Sequence, residues 1–268
     1  MGHPVEPSVA ASVALQDIPV YKTLPFAIDG DLRKPVWQQA VRVPICYEYF
    51  TQRVEPASDA GAEFMLAWDA RFLYLAYEWH STQPPHTATT GEISGPPDNR
   101  RRMVMLSGSV QMDCIEFFVD MNCDEYHFWE LHHNDQNHFS DIFCLRPRNS
   151  HDKLHTFIAA GMPALLLRHC YIPDDGPHKL KTAVRTLRSP AGDYQGYSAE
   201  LRLPLAGLGT DASRCVDGEY DLANHRFRLF GAESRGKRQP PYFQSVKGVH
   251  FGWFHDNIPL ANRFVALH

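Results

Sequence analysis

Residues 112–145 read MDCIEFFVDMNCDEYHFWELHHNDQNHFSDIFCL, and this stretch decides the fold class. It holds three runs that are apolar or alternate at period two: Cys114–Asp120 (CIEFFVD), Tyr126–His133 (YHFWELHH) and His138–Leu145 (HFSDIFCL). Each is rich in aromatic and β-branched residues and too short for a buried helix. Between them stand MNCDE and NDQN, built from residues that favour turns. Short runs of this kind joined by such turns form an antiparallel meander.

The same pattern extends outward. Phe64–Ala67, Phe72–Trp79, His178–Leu187, Tyr197–Leu203, His225–Glu233 and Arg263–Leu267 all read as strands. Helical signals are brief: KPVWQQA, where Asp31 is placed to cap, and LPLAGLG after a strand. Pro163 breaks the longest apolar stretch, IAAGMPALLL. The expected fold is therefore all-β: an antiparallel β-sandwich, jelly-roll or immunoglobulin-like, with long loops and one or two short helices. Residues 1–20 read as a loosely ordered N-terminal arm and 21–268 as one sandwich domain. Long loops fall at about 80–112, 146–177 and 234–258. The first carries Arg100–Arg102, which read as a solvated charged loop rather than an anion-binding lip.

With 268 residues the chain can bury a substantial core. A formal charge of −5 gives no reason to expect nucleic acid or an anionic membrane as partner. No apolar run approaches the roughly 18 residues that span a bilayer. The start, MGHPVEPSVAASVALQDIPVY, lacks the basic n-region and apolar h-region of an export signal. None of the six cysteines forms a CxxC pair, so neither a zinc-ribbon nor a thioredoxin-like motif is available; with no visible export signal, reduced thiols and a cytoplasmic location are expected.

Five sequence words in order resemble the family 9 carbohydrate-binding modules and the wider DOMON-like superfamily. IDGDLRKPVWQQA (28–40) is similar to the family's DG-x-L-x-x-P-x-W-x-x-A opening, and FMLAWDARFLYLAYEWHS (64–81) to its strand–Asp–turn–strand hairpin. MDCIEFFVDMNCDEYHFWELHHNDQN (112–137), YSAELRLPLAGLG (197–209) and FGWFHDNIPLANRFVAL (251–267) resemble its later words. The resemblance implies a β-sandwich that binds sugar on a concave face or at one loop end. It also implies that calcium is an available cofactor, since the family includes calcium-bearing members. The family's INPNG turn is replaced here by LHHNDQN.

Four histidines crowd residues 127–138. Alternation places His127, Trp129, Leu131 and His133 on one face of their strand, and Phe128, Glu130 and His132 on the other. If Asn134–Asn137 form the turn, His133 stands opposite His138 and Glu130 opposite Asp141. Asp120, Asn122 and Asp124 have the spacing of an oxygen-ligand turn, the candidate calcium site; the same residues also serve an ordinary turn. Trp253 and His255, in a loop-like stretch, and Trp79 are the candidate sugar contacts, joined by Glu130, His132, His133 and His138. Glu116, flanked by Ile115 and Phe117, needs a partner such as Arg228 or a ligand.

No G-x-S-x-G, HExxH, P-loop or dinucleotide motif occurs. The leading expectation is binding of a carbohydrate or similar polyhydroxylated molecule, with no cofactor required. The alternative is a cofactor-independent isomerase, lyase or cyclase using His132, Glu130, Glu116 and His255 in acid–base chemistry.

Overall fold

The computed structural model describes residues 17–48, 54, 61–85, 113–124, 127–145, 167–169, 179–234, 243–246 and 261–268. The first elements are strand β1 (Ile18–Tyr21), helix α1 (Pro35–Gln39) and short strands β2 (Val43–Ile45) and β3 (Tyr47–Glu48). A long hairpin follows, β4 (Gly61–Trp68) and β5 (Phe72–His80). Then come β6 (Cys114–Asp120), β7 (His127–His133), β8 (Phe139–Leu145) and the short β9 (Leu167–His169). A second hairpin comprises β10 (Lys181–Arg188) and β11 (Tyr194–Pro204), followed by a ribbon of β12 (Cys215–Val216) and β13 (Glu219–Tyr220). The last strands are β14 (Arg226–Ser234), β15 (Phe243–Gln244) and β16 (Asn262–Leu267).

These strands make a sandwich. One sheet has the order β1-β16-β14-β6-β7-β8-β9, with β15 also on β14 and β3 on β15; the other runs β10-β11-β5-β4-β2. Pairing is antiparallel except for β1, which runs parallel to β16. Side chains alternate, so Ile115, Phe117 and Val119 of β6 face Phe64, Leu75, Tyr77 and Leu201 of the opposite sheet in one continuous core. Burying a ring such as Phe117 contributes about 2–3 kcal/mol. The second face of β6 is covered as well: every residue of Cys114–Asp120 is buried. That is unusual for an antiparallel sheet, whose far face commonly meets water.

The outer face of the five-stranded sheet is covered by residues 26–40. Trp37 and Ile28 pack there on Met65, Tyr74 and Ala76. Glu200 of β11 anchors the segment, accepting hydrogen bonds from the Asp29 and Gly30 amides, Lys34 Nζ and Trp37 Nε1.

The all-β sandwich agrees with the sequence reading, and three local expectations are corrected. Helix α1 has Lys34 at its N-cap with no side-chain cap hydrogen bond, and Asp31 instead accepts from the Arg33 amide and guanidinium. LPLAGLG forms hydrogen-bonded turns, such as Leu208 N–H to Pro204 C=O, and not a helix. The last residues of the expected N-terminal arm, 18–20, belong to strand β1.

Candidate functional site

The β7–β8 hairpin sets the polar geometry, and its register differs from the expected one. His133 pairs with Phe139 and Glu130 with Ile142. The cause is Asn134, whose Oδ1 accepts from the backbone N–H groups of both Gln136 and His138. Asn137 takes a left-handed φ of 60°, and His138 is drawn into the loop. Slipping one residue exchanges faces. Asp141 therefore stands beside Leu131 on the core side, while Glu130 and His132 point away from the core.

On the core side, at the loop end of the sandwich, lies an aromatic and polar cluster. Tyr77 O–H donates to His133 Nδ1 at 2.9 Å, and His133 Nε2–H donates to Asn137 Oδ1 at 2.9 Å. Tyr197 hydrogen-bonds Tyr77 in turn. Burial lowers the His133 pKa to about 4, so the ring is neutral near pH 7. Burial also keeps both tyrosines protonated. Trp79 packs edge-on against Tyr197, with ring centres 5.3 Å apart. Asp135 in the hairpin loop and Asp113 at the foot of β6 both act on Tyr194 electrostatically. Burial and Asp113 raise the Asp135 pKa.

This cluster contains orphaned groups. Trp79 Nε1, the Tyr194 hydroxyl oxygen and Asp135 Oδ1 are buried atoms with no hydrogen-bond partner among the described residues. Trp79 is almost wholly buried, whereas Tyr194, Asp135 and Asn137 are half-buried.

The opposite face carries a second cluster. Glu116 stands across from His132 on neighbouring strands, with Glu130 on the same face. His132 Nε2 meets Glu130 Oε1 at 2.6 Å. Burial opposes a charge on His132, but Glu116 and Glu130 outweigh it and raise the pKa. Phe118 stacks on Phe230 beside them, 4.5 Å apart and nearly parallel.

The sequence-predicted residues therefore divide into two groups. Trp79 and His133 meet through Tyr77 and Tyr197, and His138 is buried in the loop beside them. Glu130, His132 and Glu116 meet on the far face of the same sheet. In the sheet register Arg228 stands opposite Asp120, and Ala232 stands opposite Glu116. Asp120 Oδ1 accepts from the Asn122 and Asp124 amides. Asn122 bridges to Gly209 and Asp211, and Asp124 holds His127. Trp253, His255 and Arg100–Arg102 lie outside the described residues. The sequence reading missed Tyr194, Tyr197, Asp135 and Gln244. A signal existed for Tyr197, since strand alternation puts Tyr77, Trp79 and their neighbour on one face.

The fold is that of the family 9-like carbohydrate-binding sandwiches. The chain superposes on a family 9 module from Caldicellulosiruptor kristjanssonii in complex with cellotriose, at TM-score 0.55 and 14% identity, covering 94% of each chain. It matches a family 9 module of that organism in complex with glucose at TM-score 0.55 and 15% identity, covering 94% of this chain and 95% of that one. A candidate carbohydrate-binding protein from Bacteroides uniformis ATCC 8492 matches at TM-score 0.56 and 14% identity, over 94% and 99% of the two chains. No protein-family profile matches the sequence, and no curated protein does.

Proposed function

We propose that the protein binds a carbohydrate, or a small molecule equally rich in hydroxyls, at the loop end of the sandwich formed by Trp79, Tyr194 and Asp135. One observation carries this reading: Trp79 Nε1, the Tyr194 hydroxyl and Asp135 Oδ1 are buried there without partners among the described residues. Each such orphan costs about 1–3 kcal/mol unless a ligand satisfies it. A sugar hydroxyl both donates and accepts, and so suits an indole N–H and a carboxylate together. The rings of Trp79, Tyr77 and Tyr197 pack edge-on behind these groups and supply apolar surface next to them. The likeness to modules solved with cellotriose and glucose supports a sugar over other polyols.

The test is a thermal-shift and calorimetric screen against glucose, cellobiose and cellotriose. A ligand at about a hundred times its Kd stabilises the fold by about 2.7 kcal/mol. Tyr194→Phe and Asp135→Asn should each weaken that ligand about 10-fold, the cost of one lost hydrogen bond. The reading fails if no carbohydrate shifts the Tm, or if both variants bind as tightly as the wild type.

A further inference from the structure

On the face of the nine-stranded sheet that points away from the core, Glu116, Glu130 and His132 each bring one donor atom within 4.8 Å of the other two, and all three side chains are buried. His132 is completely enclosed. Its Nε2 touches Glu130, and its Nδ1 has no partner among the described residues. Gln244 lies on the same face, beyond Ala232, which itself pairs with Glu116. It too is completely enclosed, and neither end of its amide has a partner among the described residues.

We propose that Glu116, Glu130 and His132 bind one divalent transition ion of the Zn2+ class, with Gln244 as a neighbouring hydrogen-bonding group. One imidazole nitrogen and two carboxylate oxygens form a mixed N/O donor set that suits zinc and its first-row neighbours. Calcium is disfavoured, because it takes six to eight oxygens and has no use for imidazole. Zinc ligand atoms lie about 2.0–2.2 Å from the ion. Tetrahedral donors are then about 3.3–3.6 Å apart, so the observed cluster closes around an ion by side-chain adjustments of about an ångström. A dication carries the charge opposite to that of two carboxylates, which favours its burial beside them. Three protein ligands leave a fourth position for water or a small anion. Gln244 sits about two strand spacings, roughly 10 Å, from Glu116 across the sheet, a gap that two extended polar side chains span. This site is separate from the sugar cluster, which occupies the other face of β7.

The experiment uses the full chain without a histidine tag, stripped with chelator and then titrated with Zn2+. The expected result is about one Zn2+ per chain by elemental analysis, with a rise in Tm. Glu116→Gln, Glu130→Gln and His132→Asn should each weaken Zn2+ by at least 10-fold. His127→Asn, at the exposed end of the same strand, should bind like the wild type. Because a buried substitution can impair folding, the wild type is also loaded with Co2+, whose visible bands report a low-coordinate nitrogen-containing site directly. Uptake of less than about a tenth of an ion by the wild type overturns the proposal, as does Zn2+ affinity unchanged in all three ligand variants.

Discussion

Replacing Glu200 with alanine should destabilise the protein by about 3 kcal/mol. Its carboxylate is fully buried in the middle of β11, flanked across the sheet by Ala76 and Ala183. Those two small neighbours let residues 29–37 descend onto the sheet. There Oε2 accepts from the amides of Asp29 at 2.9 Å and Gly30 at 2.8 Å, and Oε1 from Trp37 Nε1 at 2.6 Å. Lys34 Nζ lies 2.7 Å from both oxygens. Hydrogen bonds to a charged group are worth about 1.5–3 kcal/mol each, and breaking a buried ion pair costs about 3–5 kcal/mol. The lower end applies, because Lys34 also holds Asp29 at 2.5 Å and keeps a partner after the change. Glu200→Gln preserves shape but turns an N–H2 group toward one set of donors, so about 2 kcal/mol is expected. Urea unfolding measures both values, and the Tm should fall by about 6–12 °C for the alanine variant. Amide exchange should show residues 28–40 opening before the rest of the sandwich. A loss below about 0.5 kcal/mol would refute the view that this one carboxylate holds the segment down.

Two further perturbations probe other parts of the fold. Gly196 has φ +123°, and an added Cβ would sit 1.9 Å from the Trp79 carbonyl oxygen, a backbone clash that no rotamer relieves. Gly196→Ala should thus cost more than about 3 kcal/mol, whereas Gly192→Ala, at φ +93° with open space around it, should cost about 1 kcal/mol; equal losses in urea titrations would sink the argument. His225 donates from Nε2 to the Met121 carbonyl at 2.5 Å, and burial lowers its pKa. The unfolded ring takes up a proton below about pH 6.5 that the folded ring resists, so its contribution holds above that pH and is lost on acidification. The stability advantage of wild type over His225→Gln should therefore narrow between about pH 7.5 and about pH 5, and a constant difference would contradict it.

Strands such as β6, β7 and β11 were legible because seven or more residues of alternating or continuous apolar character have only one good partner surface. Strands β1, β2, β3 and β15 were not, being two to four residues long. Ile18–Tyr21 is a strand because β16, at the far end of the chain, lies alongside it, and nothing in IPVY announces that. Register failed for a different reason. NDQN reads as a four-residue turn, but Asn134 captures the His138 amide with its side chain, and one more residue enters the loop. Site residues followed the same division. Facing along β7 could be read from alternation, whereas the orphaned atoms of Tyr194 and Asp135 depend on what other segments fail to offer them.

His132 and His133 show how far that alternation reaches into the chemistry. They are chain neighbours, both fully buried, and burial opposes a positive charge on each. Yet the His132 pKa is raised and that of His133 falls to about 4. The difference lies in what each strand face presents. Beside His132 stand two carboxylates, whose combined field exceeds the desolvation cost. Beside His133 stand a tyrosine hydroxyl, an amide and a second imidazole, none of which stabilises a cation enough to offset burial. One face of β7 therefore sets two carboxylates beside His132, while the other sets a neutral His133 among hydroxyl, amide and aromatic groups, with Asp141 and Asp135 farther along it. A single strand separates the two chemistries by the direction of one peptide unit.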